Sequence, residues 1–556
     1  MKLKRKLILP LVCMLGSALV ACGPTSNPSE VPTNPTTEPS VEPSLEPTTE
    51  PIIEPTIDPS EEPSTSTSKD PTTSISSTVV EPSVSEDPTV DPSTNPSTPD
   101  TPNGELTLEQ FNEKYTMNDF FSHVNKVKTE IHMDKRELYQ LSQDYDAYPH
   151  HSSPIYRICD LTIHINDDYV RLNKVGIRLK GNTSRRKFVN ENGEIYTAVH
   201  FKFDFNELID YVDYTPEEEA HIDERKFLDL KKLDVKWNKN YDTSHIKEYI
   251  ASRLYKEYDV KSQAMGFSHI LINGKNMGLY YTYETIDKQF TKRHYSKAEN
   301  GGDLYKACYT AAGPANLTYG KVGENIGEED EDANGKNGFF PSYDIKTNKD
   351  ETDHSQLLNL IKVLNNSSTK INDIASVVDL NQFIKYEAVS YVLGDPDDFR
   401  NNWNNTYIYF NKETGLAEFL PYDKDRMFGT QCDWNPTGNG MTTVNPQSNW
   451  AQGANSEQNN QLYRKILSRP IEGADKYVNT YMNLIKEIFD SSSVLASFNE
   501  VYNTVKDLYS DIVVAKDIPS IEFKTTDNTN LTFEKYITAK KAHFESKYTE
   551  FASCLE

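Results

Sequence analysis

The sequence of 556 residues predicts an α+β fold in which a strand-rich half precedes a helix-rich half, both behind a segment with no folding signal. Three observations carry this. Pro, Ser, Thr, Glu and Asp dominate residues 23–104, alternating apolar runs dominate 105–295, and apolar residues at spacings of three and four dominate 296–556.

At the amino terminus Lys2, Lys4, Arg5 and Lys6 precede an apolar run from Leu7 to Ala21. A basic start, a short apolar core and small residues before a cut site predict a secretory signal over 1–22, and the run is brief for a membrane span. Leu19-Val20-Ala21-Cys22 resembles a bacterial lipobox, which implies lipidation of Cys22 and a chain anchored at the extracellular face of the cell membrane. An ordinary signal peptide with a chance cysteine would release the chain instead.

Residues 23–104 carry a loose "EPS/EPT/DPS" repeat, with 15 acidic residues against Lys69 alone. One-signed charge, low hydrophobicity and frequent proline predict a disordered, extended tether. It accounts for about half of the net charge of −26, and no Lys/Arg-rich face stands out elsewhere. Nucleic acid is therefore not an expected partner. Outside the leader, Cys159, Cys308, Cys432 and Cys554 lie far apart with no CxxC pair, so disulfides and buried thiols both stay open.

In the first half "TEIHMD", "CDLTIHIN", "KVGIRLKGN", "VHFKFDF" and "FSHILINGKNMGLYYTYETI" read as strands, the last folded at Asn273-Gly274. One helix is expected among them, "HIKEYIASRLYKEY", with Ser244 as its cap. In the second half "SQLLNLIKVLNN", "LNQFIKYEAVSYVLG", "NQLYRKILS", "YVNTYMNLIKEIFD" and "LASFNEVYNTVKDLY" read as helices, with one hairpin set in "NNTYIYFNKETGLAEFLPYDKDRMFG".

Three elements carry chemistry. In "GIRLKGNTSRRKF", Arg178 and Lys180 leave one face of a strand ahead of Gly181, where backbone amides and cations suit phosphates; Lys202 in the next strand joins them as a nucleotide-binding candidate. A solvated hairpin would look alike. "LGDPDDFRNNWNNTY" follows a helix and supplies Asp395, Asp397 and Asp398, then Asn401 to Asn405, the residue types phosphoryl transfer asks for; an Asp/Asn-rich turn is the plainer reading. The hairpin then delivers Asp423 and Asp425, two residues apart on an extended chain and so on one face, where they suit one shared cation or an ordinary turn.

Together "IRLKGNTS", "YDTSHIKEYIASRLY", "INGKNMGLYYTYETID", "FRNNWNNTYIYF" and "PYDKDRMFG" resemble the CotH-type spore-coat kinase family over roughly Asp119 to Gly429. The resemblance implies an atypical two-lobed protein-kinase-like fold that uses ATP with Mg²⁺ or Mn²⁺ to phosphorylate serine or threonine of exported or surface proteins. It implies Asp398 as catalytic, with Asp397 one position away; Asp423 as metal-binding, with Asp425 and Asn405 beside it; and Glu284 near the nucleotide. The chain departs from the family in having Pro421-Tyr422-Asp423 where "PWD" is common, and in a catalytic loop about two residues longer. The tether's own Ser and Thr are further candidate acceptors. Two other classes stay open: an inactive kinase-like adhesin or glycan-binding lipoprotein, which the 33 Tyr would suit, and a metal-dependent hydrolase using the same carboxylates.

Overall fold

Strand β4 (Asp168–Lys180) is long enough to pair twice, with β3 (Arg157–Ile165) along Asp168–Ile177 and with β5 (His200–Asp204) along Gly176–Lys180. This closes the first sheet on itself. Its order is β1-β4-β3-β2-β7-β8-β6-β5, where β1 is Glu105–Leu106, β2 Val127–His132, β6 Lys232–Trp237, β7 Met265–Ile272 and β8 Lys275–Glu284. The computed structural model describes residues 104–148, 153–181, 184–238, 242, 244–329, 338–428, 442–448, 460–491, 493–513, 522–524 and 530–554. The expected signal, Cys22, the tether, Asn182-Thr183 and Cys432 lie outside them. Among the described residues no helix is long and apolar enough to cross a membrane.

Alternation decides what each face of the sheet does. Ile177, Leu179, Phe201, Phe203, Leu233 and Val235 point inward and are fully buried in one apolar core. Their neighbours at period two point the other way. Register therefore lines up Arg178 with Lys202, Lys202 with Asp234, and Asp234 with Tyr283; one step along, Lys180 faces His200 and Lys236 faces Tyr281. The β7–β8 turn is the expected one, with Asn273 and Gly274 both at positive φ.

Helix α1 (Lys247–Glu257) follows β6. Its cap differs from expectation: Asp242, not Ser244, receives the Lys247 backbone N–H at 3.0 Å, because a carboxylate two residues earlier also takes the Ser244 N–H and hydroxyl. The second half differs more. Beside its helices it contains a five-stranded sheet ordered β10-β11-β9-β12-β13: β9 is Leu304–Ala307, β10 Ile326–Gly327, β11 Tyr343–Ile345, β12 Thr406–Phe410 and β13 Ala417–Pro421. Only β12 and β13 were legible as the hairpin. The others, of two to four residues, are too short to show a period. Helices α2 (Leu380–Leu393), α3 (Asp475–Asp490), α4 (Ser493–Leu508) and α5 (Phe533–Ser553) pack with this sheet and with α1 in a second apolar core, where Tyr255 of α1 stacks on Tyr386 of α2 at 5.6 Å.

Candidate active site

The outward face of β4, β5 and β6 forms a row of cations around one acid. Lys180 Nζ lies 3.0 Å from Asp234 Oδ2 and donates to the Tyr283 hydroxyl at 2.9 Å, while Lys202 Nζ lies 3.7 Å from Asp234 Oδ1. Thr285 also donates to Asp234. Burial pushes the Asp234 carboxyl up, but Lys180 and Lys202 outweigh it and hold it at about 2. Burial pushes the Lys202 ammonium down to about 7 against the pull of Asp234. Arg178 donates to the Ser153 carbonyl at 2.9 Å and rests on the Tyr156 ring.

Two residues beyond Asp234, Lys236 gathers three acids from two other segments. Its buried Nζ is 2.9 Å from Glu248 Oε1 on α1 and 3.0 Å from Asp425 Oδ2, and it donates to Asp423 Oδ1. Burial works against the Lys236 charge, yet Asp423, Asp425 and Glu248 keep the ammonium well above its ordinary value. Burial also opposes ionisation of Asp423, and there Lys236, with Lys180 and His200 farther out, holds the carboxyl well below the usual range. Burial pushes Glu248 up, and Asp425 and Asp423 add to it against Lys236. With Glu248 pushed toward its neutral form, Asp423 and Asp425 still outnumber the one ammonium they share and leave an excess of negative charge.

The loop after α2 divides its acids. Asp398 is buried and turned inward, accepting from Ser390 Oγ, from Asn401 N at 2.9 Å and from Asn401 Nδ2 at 2.7 Å. Asp398, expected as the catalytic aspartate, is thus held by three donors from α2 and the loop. Asp397 faces the other way, holding the amides of Asn402 at 2.7 Å and Asn404 at 3.3 Å. Burial, only partly offset by those amides, together with repulsion from Asp425 and Asp423 pushes its carboxyl up to about 6. Asn405 donates Nδ2 to the Asp397 carbonyl at 2.8 Å and accepts the Tyr422 N–H on its own carbonyl. Trp403, Asn405, Asp423 and Phe428 all hold positive φ, a concentration of left-handed backbone in non-glycine residues that marks a site held in place by its surroundings.

Glu284, expected near the nucleotide, is likewise held inward. It is fully buried, accepts from Arg293 Nε at 2.6 Å and His294 Nε2 at 2.8 Å, and so ties the end of β8 to the short helix Lys288–His294. No oxygen is presented to a nucleotide. Sequence reasoning missed Asp234, Lys236, Glu248 and Lys424. The signal for the first two was "KLDVKW", whose alternation puts both on one face; Lys424, buried 3.8 Å from Asp395, carried no pattern.

Asp423, Asp425 and Asn405 offer hard oxygen donors of the kind Mg²⁺ and Mn²⁺ take, and the excess charge around Lys236 suits a dication. As they stand, no three His, Cys, Asp or Glu side chains among the described residues are grouped closely enough to enclose a metal. The adjoining cleft, lined by Glu248, Tyr255, Tyr283, Tyr422, Asp423 and Lys424, has a volume of about 20 Å³. That admits water and no purine.

A family model described as "CotH kinase protein" matches residues 188–537, more than half of the chain. The chain belongs to the CotH family. The matched range moves the resemblance toward the carboxyl terminus: it begins beyond Arg178 and Lys180 and takes in α3, α4 and the start of α5, which the motifs had left outside. "Inner spore coat protein H" of Bacillus subtilis (strain 168) is 23% identical over 199 residues, covering 35% of this chain and 50% of that protein. The chain thus spans about half the length of the curated relative it matches. CotH membership makes the chain kinase-like, and within the matched range Lys236, Glu248 and Asp423 stand in the order strand, helix, hairpin exit.

Proposed function

We propose that this CotH-family chain is a two-lobed, metal-dependent kinase that transfers the γ-phosphoryl group of ATP to serine or threonine of exported or surface proteins, its own Ser/Thr-rich amino-terminal segment among them, from a lipid anchor at Cys22. The observation that carries the proposal is Lys236. A strand lysine held by a helix glutamate, with a hairpin-exit aspartate against the same ammonium, is the set that kinases use to grip phosphates and metal.

The closed sheet with α1 would form one lobe and the second sheet with its helices the other. Glu248 orients Lys236 toward the phosphates, and Lys180 and Lys202 would add positive charge from the adjoining strands. Asp423, Asp425 and Asn405 would hold Mg²⁺ or Mn²⁺, which supplies charge neutralisation on the phosphate oxygens when bound. Asp397 accepts the proton of the acceptor hydroxyl, while Asp398, through Asn401, fixes the loop that presents it. In the transfer the acceptor Oγ bonds to the γ-phosphorus, the bond from that phosphorus to the β,γ-bridging oxygen breaks, and ADP leaves. A carboxyl near 6 is ionised at neutral pH and basic enough to take that proton.

The narrow cleft favours a second reading, a kinase-like surface binder without transfer. The test is incubation of the full chain with labelled ATP, Mg²⁺ or Mn²⁺ and a serine-rich acceptor, beside Asp397→Asn and Asp423→Ala. Label on the acceptor that both substitutions abolish is the expected result. Nucleotide bound without transfer would establish the binder, and phosphate released only to water would establish a hydrolase.

A further inference from the structure

Beside Asp397 the surface changes character. The connection from β9 to β10, residues 308–325, carries Tyr309, Tyr319 and Val322, which are 53%, 51% and 49% exposed and make up half of the six large hydrophobic side chains exposed among the described residues. Of these, Tyr309 is the one tied to the loop of Asp397. Tyr309 is fixed there. Its ring stacks on Trp403 at 6.2 Å and 25°, and its backbone N–H donates to Asn404 Oδ1 at 3.4 Å; the Asn404 amide in turn donates to Asp397. The shelf and the candidate base are therefore two hydrogen bonds apart. Trp403 is 2% exposed, and its indole N–H has no acceptor among the described residues. A half-exposed tyrosine ring fixed on a buried tryptophan is the kind of aromatic face on which a proline ring lies.

The chain contains a matching ligand. Of the 18 prolines between Pro24 and Pro102, 15 are followed directly by Ser or Thr, and in 10 of those 15 the residue before the proline is Asp or Glu. The repeat precedes the described residues, which begin at Gly104.

We propose that Tyr309 on Trp403 is the acceptor-side subsite of this protein and that it takes acidic peptides in which proline directly precedes the phosphorylated Ser or Thr, as in residues 24–97 of this chain; the proposal rests on the kinase reading above. With proline on the shelf, the next residue's hydroxyl meets Asp397, loses its proton there, and its Oγ bonds to the γ-phosphorus of ATP as ADP departs.

The full chain, incubated with ATP and Mg²⁺, should carry phosphate on Pro-preceded residues such as Ser40, Ser44 and Thr48, and not on the runs Thr65–Ser68 and Ser74–Thr78, which lack a preceding proline. Phosphate spread over both kinds would overturn the proposal. In trans, a peptide with the sequence of Glu38–Thr49 should be a better acceptor than its proline-to-alanine counterpart. Tyr309→Ala should raise the KM for the first peptide about tenfold, with the KM for ATP and the melting temperature unchanged, and Tyr309→Phe should restore it. Equal use of the two peptides, or an unchanged KM in Tyr309→Ala, would overturn it too. If no acceptor is labelled, calorimetry decides separately: binding of the proline peptide alone, lost in Tyr309→Ala, keeps the subsite and ends the kinase reading, whereas absence of binding ends the subsite.

Discussion

Lys236 on β6 and Asp423 at the exit of β13 are in direct contact, so the strand lysine of the first sheet is bonded to the hairpin aspartate of the second. The same ammonium meets Glu248 and Asp425, which makes it the one cation shared by three carboxylates from α1 and the hairpin exit.

Lys236→Met should therefore do two things at once. Removing one partner from a buried ionic cluster costs about 3–5 kcal/mol, because the acids left behind repel one another. A dication can replace the lost charge, so added Mg²⁺ should raise the melting temperature of Lys236→Met more than that of the wild type, while transfer stays abolished. Thermal denaturation with and without Mg²⁺ checks this, and equal Mg²⁺ responses would show that Asp423 and Asp425 do not hold the metal.

The pH dependence of transfer should report Asp397. Its carboxyl is pushed up to about 6 by burial and by Asp425 and Asp423, so the base is charged above that pH and protonated below it. A dication on Asp423 and Asp425 removes that repulsion and moves the limb below 6, so activity should fall in the acid range beneath about 6, and residual activity in Asp397→Asn should show no such limb. A profile still descending there in that variant would move the role elsewhere.

How far the sequence disclosed this site depends on which signal each residue had. Asp423 and Asp425 were legible as paired acids at a hairpin exit, but the chain there is not extended: Asp423 holds positive φ, and the shared Lys236 ammonium, not strand alternation, brings the two together. Asn273-Gly274 was legible because a two-residue hairpin demands positive φ. Asp397 and Asp398 were not separable, since a loop without period leaves the local backbone to decide which carboxylate turns inward. Glu284 misled because its partners, Arg293 and His294, lie in a helix that folds back onto β8, a tertiary event with no trace in the strand itself. Lys236 and Glu248 stand only 12 residues apart, but each alone is an ordinary charged residue. Their pairing appears when α1 packs beside β6.

Glu284→Gln should destabilise the fold while sparing nucleotide affinity. Burial disfavours the Glu284 charge, but His294 and Arg293 outweigh it and hold the carboxyl below its ordinary value. A depressed carboxyl contributes stability above its unfolded pKa, lost as pH falls through the folded one, so wild type and variant should converge in acid. At neutral pH the loss should be on the order of 3 kcal/mol. Denaturant titrations across pH, beside ATP-binding measurements, check both halves.

Helix α4 bears on the site from outside it. Glu500 accepts from Arg253 of α1 at 2.7 Å and contacts His123 at 2.6 Å, and His123 reaches Tyr249 of α1 through its other nitrogen. The pair fastens α4 to the helix that carries Glu248. Half-exposed pairs of this kind are worth roughly 1 kcal/mol or less, so Glu500→Ala should barely change stability. Its expected effect is a several-fold fall in kcat through looser Glu248, read as increased hydrogen exchange along α1. Unchanged exchange and kcat would show α1 to be held by its apolar face alone.

Glu387 gives the sharpest test of the interior of the helical half. It is fully buried on α2, neither carboxylate oxygen has a hydrogen-bond partner among the described residues, and burial pushes it up to about 8 against the attraction of Arg400 and Lys424. A carboxyl whose folded pKa is raised binds its proton more tightly folded than unfolded. Between the unfolded value near 4.3 and about 8 the native state therefore holds more protons, and stability falls as pH rises through that window. Glu387→Gln keeps the shape and removes the titration. The variant should match the wild type near pH 4.5, exceed it by a few kcal/mol at pH 8 and above, and flatten this part of the pH–stability curve. Melting temperatures of both proteins from pH 4.5 to 9 decide it: parallel curves would mean that Glu387 is ionised and compensated by Arg400 in the native protein.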